Sequence, residues 1–260
     1  MSTTGAITSN IDVAQVVLYL FWIFFAGLMY YLHRENKREG YPLESDGRGG
    51  RVRIEGFPAV PEPKIFRLRD GSERLAPGPN SQRQPLVGGE ATSRVPGSPI
   101  VPLGNPLLAG VGPGAYAERT DQPDLTWDDR SPRIVPLRAA PGFGVASEDP
   151  DPRGMPVLGA DGRQGGTVSD LWVDRSEAIF RYIEVEVAAP GGSRRVLLPM
   201  TLARVGQRSV QVASVLGHQF ADVPGTRLPD QVTLLEEDRI AAYYGAGTLY
   251  AEPSRQEPLL

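Results

Sequence analysis

The sequence predicts an α+β, mostly β protein with three parts. One transmembrane helix stands at its start, a Pro/Gly-rich extended segment follows, and a small antiparallel β-barrel or sandwich lies toward its end. Three observations predict this. Residues 13–32 are one uninterrupted apolar run, residues 42–160 hold 19 of the 25 prolines, and residues 157–250 alternate apolar and polar side chains between Gly/Pro turns. The alternation has the period of a pleated strand, and the apolar run has the length of a bilayer crossing.

Composition narrows the function. A chain of 260 residues with no Cys has no disulfide framework, thiolate metal site, iron–sulfur cluster or Cys nucleophile. His33 and His218 are its two histidines, and neither has metal-ligand spacing to a partner. A net charge of −4 argues against a nucleic-acid surface. Gly and Pro make up about a fifth of the chain, against roughly 12% in average usage, so much of it is irregular. The mean hydropathy of −0.24 excludes many spans but allows one.

That span is VAQVVLYLFWIFFAGLMYYL, residues 13–32, in which Gln15 is the one strongly polar residue. Twenty helical residues cover about 30 Å, the hydrocarbon thickness of a bilayer. Tyr30 and Tyr31 sit where a headgroup layer favours aromatic rings. No Lys or Arg precedes Arg34, whereas Arg34, Lys37 and Arg38 follow at once, which places the C-terminal side in the cytoplasm. A signal peptide would need a basic start and a small-residue cleavage site, and both are missing. A buried core helix is rarely apolar on every face for this length. Asp12, Ser9 and Asn10 are N-cap candidates. Residues 33–41 read as two more helical turns, stopping at Gly40.

Residues 42–160 read as extended chain with short strands at most. Apolar anchors recur in it, among them Ile65, Phe66, Leu68, Leu107, Trp127, Ile134 and Phe143, so it is expected to drape over a surface rather than float free. Further on, TVSDLWVD reads as a strand. YIEVEV turns Ile183, Val185 and Val187 to one face and Glu184 and Glu186 to the other. RRVLLPM follows a PGGS turn, and Val210 and Val212 alternate again. A helix should start near Thr233 and stop at Gly245 or Gly247. GVGPGAY and GAGTLY lack phosphate-loop spacing and read as turns.

The carboxylates carry the chemistry. Asp124, Asp128 and Asp129 lie in DLTWDDRS, and Asp170, Asp174 and Glu177 in SDLWVDRSE. Asp174 and Glu177 could share a cluster with Arg175 or Arg181. Such a cluster can pass protons through bridging water when its pKa values approach ambient pH, or it can be a solvated face with ordinary ion pairs.

FWIFFAGLMYYLHRENKREGYPLE, GVGPGAYAER, LWVDRSEAIFRYIEVEV, RRVLLPM and VTLLEEDRIAAYYGAGTLYA occur in this order. The set resembles the H subunit of the photosynthetic reaction centre of purple bacteria, over nearly the whole chain and more weakly across 45–105. The resemblance implies a PRC-barrel fold in the cytoplasmic domain and a non-catalytic subunit that binds no pigment. Its expected partners are the L and M subunits, which hold bacteriochlorophyll, bacteriopheophytin, quinones and non-haem iron. A light-harvesting ring, a cytochrome subunit and membrane lipids are expected neighbours. The subunit would cap the L/M core, stabilise it and help deliver protons to the secondary quinone, in the bacterial inner (intracytoplasmic) membrane.

The implied layout is a periplasmic N-terminus over 1–11, a transmembrane helix over 12–33 and a charged juxtamembrane segment over 34–44. An extended segment over 45–156, the barrel over 157–250 and a tail over 251–260 follow. The family's acid pair falls on Asp174 and Glu177. Arg181, Arg133 and Tyr41 are expected at subunit contacts. The family's Asp-x-His-x-His uptake stretch falls on 124–131, where this chain has no histidine, so Asp124, Asp128 and Asp129 stand in. That loss should weaken inhibition by divalent transition metals. Two other readings are a membrane-anchored PRC-barrel adaptor outside photosynthesis and an anchored hydrolase. The second lacks a nucleophile, a metal set and a cleft signature.

Overall fold

A computed structural model describes residues 12–41, 43–47, 50–78, 88–95 and 97–256. Ser9 and Asn10 lie outside the described residues. The chain divides into two compact units.

The first unit holds helix α1, Val13–Asn36, whose 24 residues span about 36 Å. Asp12 is its N-cap and accepts the Gln15 amide at 2.7 Å. None of its residues is buried within the chain, as expected of a helix solvated by lipid. The helix stops at Asn36, about one turn beyond the apolar run, and not at Gly40. The cause is tertiary. Lys37 turns away and donates to the carbonyls of Glu55 (2.6 Å) and Pro58 (2.5 Å). Arg38 donates to the carbonyls of Glu62 and Ala76. Two hairpins follow: β1 (Leu43–Gly47) with β2 (Gly50–Ile54), and β3 (Lys64–Arg67) with β4 (Glu73–Ala76).

The second unit begins with a small ladder, β5 (Gly89–Ala91) on β6 (Ile100–Pro102). Its main sheet has seven strands: β7 (Ile134–Pro136), β8 (Pro156–Leu158), β9 (Gln164–Asp174), β10 (Ile179–Ala189), β11 (Gly192–Pro199), β12 (Ala203–Val205) and β13 (Val210–Val212). The order is β11-β10-β9-β8-β13-β12, with β7 also on β9. One pair departs from the antiparallel expectation: β13 runs parallel to β8, because the chain passes through four strands before returning beside β8. Val157, Leu171, Trp172, Ile183, Val185, Leu198 and Val210 fill the core.

Helix α2, Leu234–Tyr250, closes this unit. Its N-terminus is a capping box: Thr233 Oγ1 accepts the Glu236 amide at 3.1 Å and Glu236 accepts the Thr233 amide at 2.8 Å. Neither Gly245 nor Gly247 ends it, and GAGTLY is helical rather than a turn. Both glycines serve close packing. A Cβ on Gly245 would lie 2.7 Å from the Pro113 carbonyl oxygen, and one on Gly247 2.5 Å from that of Ser214. GVGPGAY is a turn built on a short 3-10 helix, Gly112–Gly114. The proline-rich chain does drape here: Leu107, Val111, Ile134 and Leu137 are buried, while Leu103, Leu108 and Trp127 are exposed.

Candidate functional site: a carboxylate cluster around Arg133

The site is built where β7 meets the end of β9, with Ile134 paired opposite Asp174. Arg133, just before β7, therefore reaches the last residue of β9. Its Nε lies 2.9 Å from Asp174 Oδ1 and its Nη2 2.8 Å from Asp174 Oδ2, a two-point clamp. Nη2 also pairs with Glu177, and Nη1 lies 3.2 Å from Asp124. One guanidinium thus holds three carboxylates. The Asp174 side chain is 2% exposed, against 44% for Asp124 and 52% for Glu177.

Asp174 also accepts the Ser176 and Glu177 amides at 3.0 and 3.1 Å, which fixes the turn into β10. Burial, the largest influence, pushes the Asp174 carboxyl up. The Arg133 hydrogen bond and the two amides outweigh it, and Asp174 titrates below the ordinary carboxylate range. Asp174 is therefore a fixed anion at neutral pH.

Residues 124–133 form a tight loop closed by the Thr126 amide on the Ser131 carbonyl (2.9 Å) and the Arg133 amide on the Asp124 carbonyl (2.8 Å). Inside it, Asp129 accepts the Ser131 hydroxyl at 2.6 Å, the Ser131 amide at 3.1 Å and the Thr126 hydroxyl. The Ser131 hydroxyl, then Thr126, hold Asp129 far below its usual value. Asp128 is exposed in the same loop. Arg175 donates to the Pro132 carbonyl (3.2 Å from Nε) and to Ser131, and sits 3.8 Å from Asp129. Asp124, Asp129, Asp174 and Glu177 thus share one loop-and-strand junction, with Arg133 as its centre.

Arg181 stands apart from this clamp, beside Glu237. The Glu237 carboxyl accepts the Tyr182 hydroxyl at 2.7 Å. Burial pushes Glu237 up; Tyr182, Arg181 and Arg119 oppose that, and Asp124 adds to it. The isolated pairing of Pro123 with Thr233 brings Asp124 toward this helix start. Tyr41 belongs to the first unit, where the Lys37 ammonium lies 4.9 Å from its ring centre.

A second cluster escaped sequence reasoning. Glu184, on the polar face of YIEVEV, has a side chain only 2% exposed. It accepts Trp172 Nε1 at 3.0 Å, Ser169 Oγ at 2.7 Å and Arg138 Nη1 at 3.0 Å. Arg138 also binds Asp170 (3.1 Å) and Asp230. Strict alternation places Glu184 opposite the apolar face of Ile183, Val185 and Val187, yet this second face is covered too at Glu184. The arginine that covers it comes from the proline-rich segment, 46 residues earlier. The one sequence signal was the indole beside the acids in SDLWVD, since a buried Trp N–H needs an acceptor. Cavities of about 380 and 470 Å³ flank Glu184.

Among the described residues no group of three or more His, Asp or Glu side chains could hold a metal ion. His33 lies in the last turn of α1 and His218 in a 3-10 helix, Gly217–Asp222.

Residues 5–139 match the family model of the photosynthetic reaction centre H-chain N-terminal region, and residues 145–219 match that of the PRC-barrel domain. The first match alone covers more than half of the 260 residues, and it takes in the apolar helix, both hairpins and Arg133. The second covers β8 to β13 of the main sheet. With a membrane-length helix joined to that sheet, the chain belongs to the family of photosynthetic reaction-centre H chains.

Proposed function

We propose that this chain anchors to and caps the cytoplasmic face of the L and M subunits, and that its Arg133-centred carboxylates assist proton delivery to the secondary quinone. In this reading α1 crosses the inner membrane once, with the N-terminus periplasmic. The pigments, quinones and non-haem iron sit on L and M, and a light-harvesting ring, a cytochrome subunit and lipids surround the complex.

The observation that carries the proton role is the gradient of exposure around one guanidinium, from Asp124 and Glu177 at the surface to Asp174 in the interior. Reducing a quinone places negative charge in a low-dielectric pocket and raises proton affinity there. A cover must keep bulk water out yet let protons through. Asp174, clamped and ionised, supplies fixed negative potential and orients Arg133. Glu177 shares that guanidinium but keeps half its surface free, so it is the group suited to taking and releasing a proton. Asp124 is the outward member of the same set. With Thr126 and Ser131 holding it ionised, Asp129 contributes charge that gathers protons rather than a transfer step, and Asp128 stands beside it in the open. Arg181, Arg133 and Tyr41 are the subunit-contact residues.

The test is flash-induced electron transfer in the assembled complex. Glu177→Gln is expected to slow the proton-coupled second electron transfer to the quinone while the first transfer keeps its rate. Unchanged second-transfer kinetics across neutral pH would remove Glu177 from the path.

A further inference from the structure

Phe57 is the most exposed large apolar side chain among the described residues, at 83%. It is also firmly held. Lys37, just past the end of α1, is 3% exposed and spends its ammonium on the carbonyls of Glu55 and Pro58, the residues on either side of the Gly56–Phe57 tip. Gly56 has φ +63, a left-handed conformation that lets the chain double back beneath the lysine. The Phe57 ring lies 6.1 Å from that of Tyr30, six residues or about 9 Å inside the end of α1. Lys64, the first residue of β3, pairs with Glu35 and lies 5.8 Å from the Tyr31 ring centre. A buried cation thus shapes a turn whose apex returns an aromatic ring along the outside of the helix to the level of its tyrosine pair.

We propose that Phe57 is a second membrane anchor, inserted into the lipid headgroup layer on the cytoplasmic side beside Tyr30 and Tyr31. The inference rests on the reading of α1 as the membrane anchor. Lipid is the occupant because the ring is continuous with the lipid-facing surface of α1 at the height where amphipathic tyrosines mark the interface. In water a fully displayed phenyl ring has no gain to offset its hydration cost. At the interface it adds apolar area to the anchor and sets the depth at which the loop rides. The cations around it are already engaged, Lys37 by carbonyls and Lys64 by Glu35, so the contact is with the glycerol and upper acyl region rather than with a phosphate.

The 260-residue chain has no Cys, so Phe57→Cys offers a single nitroxide attachment point in it. The labelled chain is assembled with its core subunits in phosphatidylcholine–phosphatidylglycerol vesicles, and collisions with oxygen and with a water-soluble nickel chelate are measured by power saturation. The expected result is an oxygen-to-nickel ratio shifted toward that of a label at Met29 and away from one at Asp128. Free access to nickel, equal to that at Asp128, overturns the proposal in favour of an aqueous ring. Loss of access to both probes overturns it in favour of a covering protein. Carbonate extraction of the same membranes reports the anchor itself. A chain that stays in the membrane while its position-57 label is aqueous defeats this inference and leaves α1 as the anchor, whereas a chain released by carbonate defeats the anchor reading.

Discussion

Arg133 clamps Asp174 with two nitrogen–oxygen contacts of 2.9 and 2.8 Å, although the residues are 41 positions apart. The register that sets Ile134 opposite Asp174 makes this possible, so the clamp is as much a fastening of the proline-rich segment to the sheet as a feature of the acid cluster. Removing Arg133 leaves a buried carboxylate without its counter-charge. Arg133→Ala should cost about 2–4 kcal/mol in unfolding free energy, less than a fully buried pair because the arginine remains one-quarter exposed. A double-mutant cycle with Asp174→Asn, read by thermal unfolding, isolates the coupling.

The same pair sets an acid limit. Asp174 is lowered in the folded state, so its contribution is fully present above the ordinary carboxylate value of about 3.9 and is lost as pH falls through the lower, folded value. In Asp174→Asn the acid-side loss of stability should be shallower than in the parent protein. Melting temperatures between pH 2 and pH 6 check this; identical slopes would show that Asp174 has no part in the acid transition.

Glu237 has the opposite sign. Burial raises its carboxyl, so the stability tied to its protonated form is present below about 4.3 and is lost as pH rises through the folded value. Glu237→Gln keeps a hydrogen-bonding partner for Tyr182 and removes the ionisation. The variant should gain stability relative to the parent at neutral pH, and the gain should shrink toward acid pH. A variant less stable at pH 7 than at pH 4, relative to the parent, contradicts this.

The buried Glu184 joins buried Trp172, half-buried Ser169 and the partly exposed Arg138 in one set. Glu184→Leu orphans the indole N–H and takes one of three carboxylates from the one-third-exposed Arg138, which keeps Asp170 and Asp230. A loss of about 2–3 kcal/mol is expected, mostly from the orphaned indole because Arg138 is partly solvated, with a change in the Trp172 emission. Chemical denaturation followed by tryptophan fluorescence measures both. Emission that matched the parent would mean the indole has another acceptor.

Gly247 tests packing against propensity. Gly→Ala in an open helix interior stabilises by about 1 kcal/mol. Here the new methyl would sit 2.5 Å from a backbone oxygen, a contact that backbone must shift to relieve. Gly247→Ala should therefore destabilise by about 1–3 kcal/mol. A raised melting temperature would show that α2 can slide away from Ser214.

The amino-acid sequence determined on its own whatever depends on local pattern. An apolar run of bilayer length specifies a membrane-length helix without help from distant residues, and Asp12 and Thr233 cap their helices through neighbours three residues away. The alternation of YIEVEV and the turn at PGGS specify a hairpin in the same way. Tertiary structure decided what depends on partners far along the chain. Lys37 and Arg38 end α1 early because carbonyls between residues 55 and 76 take up their charges. Gly245 and Gly247 continue a helix because another backbone needs their missing side chains. Glu184 is buried because Arg138 crosses over it, and Asp174 finds Arg133 rather than the nearer Arg175 because strand register, not sequence distance, sets which charges meet. Local pattern acts through steric and solvation preferences within a few residues; pairing of buried charge is a long-range choice made only once the sheet has formed.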